Sequence, residues 1–197
     1  IYISGHPLDD YKMELENYVN CSLEQAPYVM GSTIKIAGII SHVQHGVSQK
    51  NGLGYARFTM QDYSASFDTG VYNEDYEKYK DILTVGQVIY MVGKYQSFSW
   101  SNRAFFKIQE IRLLASVSQD LTRSLTLRVP LEIIDSHFID HLKAICENHK
   151  GKHPLNLKVM DVDKELNMDF KISSYKVDVD SQLIEEIRSM GLSYKLN

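Results

Sequence analysis

The feature that most constrains this chain is the change of hydrophobic pattern at Ser32. From Thr33 to Val47 the residues favour a long strand, with Ile34, Ile36, Ile39 and Ile40 around a glycine at position 38. A glycine inside a strand marks a bend or a bulge. Ser48 to Gly54 reads as a hairpin tip carrying the turn pair Asn51-Gly52. A second strand is expected over Tyr55–Asp62 and a third over Ser66–Tyr72. A short helix follows over Asn73–Ile82, with Tyr76 and Tyr79 toward the core. Two further strands, Gln87–Tyr95 and Arg103–Leu114, flank a loop from Ser97 to Asn102.

Three strands, one helix and two strands is the order of an oligonucleotide-binding (OB) barrel. The flanks have other periods. Residues 7–19 predict a helix: Pro7 suits a first turn, Asp9 and Asp10 favour a helix N-terminus, and Leu8, Tyr11 and Leu15 share a face. Pro27 and Gly31 punctuate a connector with no sustained period. Beyond residue 118 the reading gives a strand over Ser124–Leu131 and an amphipathic helix over Asp135–Asn148 with Gly151 as its C-cap. Short strands are expected at Leu155–Val159, Leu166–Ile172 and Tyr175–Val179. A last helix, Ser181–Met190, is capped by Asp180 and ended by Gly191. The expected organisation is a helical lead-in at 1–30, a five-stranded OB barrel at 31–117 and a small α+β domain at 118–197.

Charge and cysteines narrow the classes. The chain carries a formal net charge of −4, but residues 31–117 hold nine Lys and Arg against seven acids. Only that middle third is net basic, so affinity for nucleic acid should be modest and salt-sensitive. Cys21 and Cys146 are too few and too far apart for a disulfide framework or metal-ligand spacing. They are expected to be reduced thiols in a cytoplasmic protein. No apolar run is long enough to span a bilayer, and the first residues do not read as a signal peptide. A start without Met leads us to expect part of a longer chain.

Catalytic signals are thin. Asp161 and Asp163, and Asp178 and Asp180, form Asp-Val-Asp pairs of the kind that can hold metal ions, but they flank strand ends, where Asp serves turns and caps. His137 and His141 stand four apart on a helix without the Glu of a zincin motif. The glycines at 52 and 54 lack the Gly-Lys-Ser/Thr of a phosphate-gripping loop. We therefore expect no catalytic residues, metal or cofactor.

The richer pattern is cations interleaved with aromatics across the barrel. Alternation turns Ala56, Phe58 and Met60 inward and Tyr55, Arg57 and Thr59 outward. The first strand offers Lys35, His42, Gln44 and His45, the first hairpin tip Lys50, and the third strand Tyr72. The later hairpin adds Lys94, Tyr95, Phe98, Trp100, Arg103, Phe105 and Lys107. Single-stranded nucleic acid takes this mixture of stacking faces and phosphate contacts. Aromatic residues are also common packing residues in strands, so composition alone leaves binding open. In the tail, Leu183, Ile184, Ile187 and Met190, with Leu192 and Tyr194, exceed the single stripe a short helix must bury, and a partner surface is expected there.

Several strings resemble the alpha subunit of bacterial DNA polymerase III: Tyr2 through Tyr11, Ile36-Ala37-Gly38-Ile39-Ile40, Ala56 through Asp62, and Val71 through Tyr76. The tail resembles that family's C-terminal domain at Leu127–Leu131, in the helix from Asp135 and in the helix before Gly191. The resemblance implies an OB domain that binds single-stranded template DNA and a C-terminal domain that docks the tau subunit of the clamp loader within the replisome. It places the catalytic aspartates of that DNA-directed DNA polymerase upstream of this chain. The fragment itself is expected to be a non-enzymatic monomer without a membrane. Two other readings stand beside it: a tRNA-binding OB module of a synthetase-like protein, and a protein-interaction module that binds no nucleic acid.

Overall fold

The computed structural model describes residues 5–97, 104–161 and 164–197. The chain divides into two compact units, Ile1–Val117 and Ser118–Asn197.

The first unit holds a five-stranded antiparallel sheet. Its strands are β1 (Ile34–Val47), β2 (Gly54–Gln61), β3 (Ser66–Tyr72), β4 (Val88–Ser97) and β5 (Ala104–Leu113), in the order β3-β2-β1-β4-β5. β1 is long because it serves two partners. Ile34 to Ile39 pair with β4, and Ile39 to Val47 pair with β2. Gly38 sits where these ladders meet. A side chain there would come within 2.6 Å of the Gln61 carbonyl oxygen, so only glycine lets the two backbones approach. A bulge between Ile40 and His42 changes the alternation. Ile34, Ile36 and Ile40 face the core before it, and Val43 packs against the core after it. The core closes with Phe58 and Met60 from β2, Ile89 and Met91 from β4, and Tyr79 and Leu83 in and after α2 (Glu74–Tyr79). Each large apolar side chain buried this way contributes about 1.5–3 kcal/mol. This is the OB fold expected from the sequence.

The lead-in is one tight turn at Asp9–Tyr11 and a two-turn helix, α1 (Lys12–Tyr18). Its buried apolar residues are Leu8 and Met13, while Leu15 and Tyr11 are half-exposed. Asp62, at the β2–β3 turn, fastens the connector. It accepts from the Leu23 N–H at 2.8 Å and from the Ser64 and Ala65 N–H groups at 2.7 and 2.9 Å. Burial works to raise the Asp62 carboxyl, but these hydrogen bonds hold it below its ordinary value.

The sequence reading missed α3 (Leu114–Leu121), a helix that runs through the division between the units. The second unit is a four-stranded mixed sheet carrying two helices. β6 (Leu125–Pro130) leads through α4 (Ser136–Asn148) to a parallel β7 (Lys150–Asp161). β8 (Leu166–Val177) returns antiparallel. α5 (Ser181–Ser189) then leads to β9 (Ser193–Leu196), which pairs with the far side of β6. The order is β8-β7-β6-β9. Leu125, Leu127 and Val129 of β6 are buried, as are Phe138, Leu142 and Ile145 of α4. Asp135 and Asp180 cap α4 and α5, each accepting a main-chain N–H at 2.7 Å. Gly151 is not a helix cap, as the sequence suggested. It lies within β7, and the helix ends at His149, whose N–H donates to the Ile145 carbonyl.

Candidate nucleic-acid interface

The outer face of β1, β2 and β3 forms an open groove of about 830 Å³. The strand register builds it in rows. His42 stands opposite Thr59, and Thr59 opposite Asp68. Gln44 stands opposite Arg57, and Arg57 opposite Gly70. Gly46 stands opposite Tyr55, and Tyr55 opposite Tyr72. The bulge in β1 puts His42 and Gln44 on this face, since it moves the inward positions from even to odd numbers.

Each row does something different. In the last, the Tyr55 and Tyr72 rings lie nearly parallel at 24°, with centroids 6.2 Å apart. A side chain at Gly46 would meet the Tyr55 ring at 2.7 Å, so the glycine gives that ring room to lie over β1. In the middle row the Arg57 guanidinium sits 5.8 Å from the Tyr55 centroid, within reach of a cation–π contact. In the first row the Thr59 hydroxyl donates to Asp68 Oδ1 at 2.6 Å. One end of the groove is walled by Phe67 and Phe106, whose rings meet edge to face with centroids 5.4 Å apart. The groove thus offers exposed aromatic faces, one fixed cation, amide and imidazole groups, and one carboxylate.

Of the residues named from the sequence, His42, Gln44, Tyr55, Arg57 and Tyr72 meet on this face, and Phe105 borders it. Others do not. His45 has the opposite parity from Gln44, and its Nε2 lies 3.0 Å from the Leu83 carbonyl oxygen, with the ring beside Tyr76. Tyr95 borders the groove from the core, where burial raises its phenol. Lys35 is exposed on the stretch of β1 that pairs with β4, and Lys50 is at the exposed hairpin tip. Lys94 and Lys107 are cross-strand partners on β4 and β5 and do not line the groove. Phe98, Trp100 and Arg103 lie outside the described residues.

The sequence reading missed Asp68, Phe67, Gly70 and Phe106. Asp68 was within reach of the argument that found Tyr72, because both occupy outward positions of β3.

The tail residues need a correction. Leu183, Ile184 and Ile187 are each 1% exposed and Leu192 is 5% exposed. They form the second unit's own core, because α5 packs between β8 and β9 in sequence and lays its apolar face on the sheet. Met190 and Tyr194 are half-exposed, and Arg188 donates to the Tyr194 hydroxyl at 3.1 Å. The acidic pairs have structural roles: Asp161 accepts from the Lys164 N–H, Asp178 from the Gln119 amide, and Asp180 caps α5. Asp163 lies outside the described residues. Among the described residues no group of three or more His, Cys, Asp or Glu could hold a metal ion. Both thiols are buried and free, and burial pushes Cys146 up to about 11. Among the described residues no helix is long and apolar enough to cross a membrane.

The first unit is thus an OB-type domain with an open groove on its sheet, followed by a second small domain. Residues 34–114 match the family described as an OB-fold nucleic acid binding domain. Residues 125–197 match the C-terminal domain of the DNA polymerase III alpha subunit. Over nearly its whole length the chain is similar to the C-terminal region of bacterial DNA polymerase III alpha subunits. It is 23% identical over 192 residues to DNA polymerase III subunit alpha of Vibrio cholerae, covering 96% of this chain and 16% of that protein. The Escherichia coli K12 subunit is 21% identical over 194 residues, with the same coverage of both. That of Borreliella burgdorferi is 31% identical over 94 residues, covering 47% of this chain and 8% of the relative. The chain therefore spans about one sixth of the length of the Vibrio and Escherichia relatives. Among solved structures, an Entamoeba histolytica asparaginyl-tRNA synthetase superposes over 52% of this chain and 27% of its own, at 11% identity and a TM-score of 0.35. That likeness is too weak to favour any reading.

Proposed function

We propose that the first unit holds single-stranded DNA for a replicative polymerase, across the outer face of β1, β2 and β3. The observation that carries the reading is the row arrangement: the stacked Tyr55–Tyr72 pair with Arg57 over it, on an open face of an OB sheet. Bases stack on such rings without regard to sequence, and the guanidinium follows the phosphates. The Asp68 carboxylate on the same face offsets the charge of Arg57 and leaves the face close to neutral, which suits a template that must slide.

Fluorescence anisotropy with labelled single-stranded DNA, duplex DNA and tRNA tests this across a salt series. Single strands should bind best. Tyr72→Ala should weaken that binding about tenfold at fixed salt. Arg57→Ala should reduce the salt slope by about 0.7. Preference for tRNA would favour a synthetase-like module. No binding at low salt would favour a protein-interaction module.

The second unit, on this reading, docks the clamp-loader tau subunit, which the match of residues 125–197 to the alpha C-terminal domain supports. Because four of the six tail residues are core, the contact would fall to the half-exposed pair. Met190→Ala with Tyr194→Ala should reduce capture on immobilised tau, and undiminished capture would remove these residues from the contact. The chain supplies contacts to the polymerase and no catalysis of its own; nucleotide incorporation by the purified chain with magnesium would overturn this.

A further inference from the structure

β8 is an edge strand of twelve residues, paired on one side with β7 and on the other, among the described residues, with nothing. Edges of this kind are templates for further pairing unless a bulge, a proline or a cover protects them. From Leu166 to Ile172 the ladder with β7 runs without a register shift. The stretch contains no proline. Its alternate residues face the helix side of the sheet, and three of them are far from covered: Leu166 is 54% exposed, Met168 41% and Phe170 49%. They continue into an apolar groove of about 390 Å³ beside α4, bordered by Ile139, itself 42% exposed.

The sequence of this edge is complementary to itself. An antiparallel pair of identical strands has a two-fold axis through one residue pair. With the axis at Phe170, Met168 meets Ile172 of the copy and Asp169 meets Lys171 of the copy, twice over. The apolar residues then stay together on the helix side and the charges pair on the other. Moving the axis one residue back sets Asp169 against Asp169, and one residue forward sets Lys171 against Lys171. A slip that breaks the parity puts Met168 and Phe170 on the polar side. Charge and hydrophobicity therefore favour the register centred on Phe170 over its immediate neighbours.

We infer that β8 is a self-association edge: two copies of this chain join through antiparallel β8 strands centred on Phe170, giving a continuous eight-stranded sheet with both α4 helices on one side. This replaces the monomer expected from the sequence, and it is independent of the nucleic-acid reading. Like charges directly opposite one another destabilise a strand pair. Sedimentation equilibrium of the full chain over a micromolar to millimolar series should show a monomer–dimer equilibrium. Lys171→Asp places two acids opposite two acids and should weaken the dimer about tenfold. Adding Asp169→Lys to it swaps the charges and should restore the wild-type constant. Circular dichroism of the variants keeps misfolding apart from lost association. A chain that stays monomeric throughout overturns the inference and leaves the edge to a strand of another protein. A dimer indifferent to Lys171→Asp, or a folded double variant that does not recover, also overturns it.

Discussion

The two units use a sheet in opposite ways. In the first, the proposed function falls to a face: β1, β2 and β3 are paired in register, and what they display is side chains in rows. In the second, the helices cover one face, and what remains open is the edge of β8, where the backbone itself can pair. A face is sensitive to side-chain identity and to glycines that clear space, such as Gly46. An edge is sensitive to register and to the charges that set it, such as Asp169 and Lys171.

If the units are independent, damage to one should leave the other working. The largest effect is expected at Ile187, 1% exposed in the second unit. Ile187→Ala should cost about 2–5 kcal/mol, read as a lowered midpoint for the second unit in urea, while single-stranded DNA binding by the first stays at its wild-type level. A parallel loss of DNA binding would break the separation.

A smaller effect, in the first unit alone, is expected at Asp62. Asp62→Ala orphans the Leu23, Ser64 and Ala65 N–H groups at a partly exposed turn and should cost about 1–2 kcal/mol. The pH dependence has a definite sign. The folded carboxyl lies below its ordinary value of 3.8. Its contribution is therefore complete above that value and is lost as pH falls through the lower folded value. The wild-type advantage over Asp62→Ala in urea midpoint should vanish in strong acid, and an advantage that persists there would assign the effect to packing.

The smallest effect is expected at Tyr63, whose hydroxyl donates to Asp9 Oδ1 at 2.7 Å. Burial, that hydrogen bond and the Asp9 charge push its phenol up to about 12. Tyr90, pushed to about 12 chiefly by burial, is its counterpart inside the core. Tyr63→Phe should remove one late-titrating phenol from the alkaline absorbance curve and leave the unfolding midpoint almost unmoved. An unchanged curve would detach the lead-in from the β2–β3 turn.

Much of the first unit was legible because strand alternation and one Asn-Gly turn are local signals. β3 begins and ends at Ser66 and Tyr72 as read, and the helix falls between β3 and β4. The site was only partly legible because a bulge is invisible to a period of two. His42, Gln44 and His45 looked like one group, yet the pairing partners of β1 divide them between faces. In the second unit the errors were tertiary. Ser173 and Ser174 looked like a break, but β8 runs through them. Leu192 looked surplus, but it is buried at the turn between α5 and β9. α3 was hidden because Ser116 and Ser118 resemble a linker when their buried neighbours Leu114 and Val117 are not seen as a helical stripe.

The bulge in β1 also decides what a deletion would do. Ile40 pairs with Met60 and His42 with Thr59, so Ser41 is the extra residue between consecutive rungs. A chain lacking Ser41 could keep every rung below it, and its isoleucines and Val43 would still point inward. What it would lose is curvature, because the extra residue is what bends the strand and tightens its twist. β1 would run straighter from its β4 half into its β2 half, and the rows of the groove would flatten with all their members present. Loss of one serine would thus leave composition and pairing intact and change only the shape offered to a flexible strand of nucleic acid.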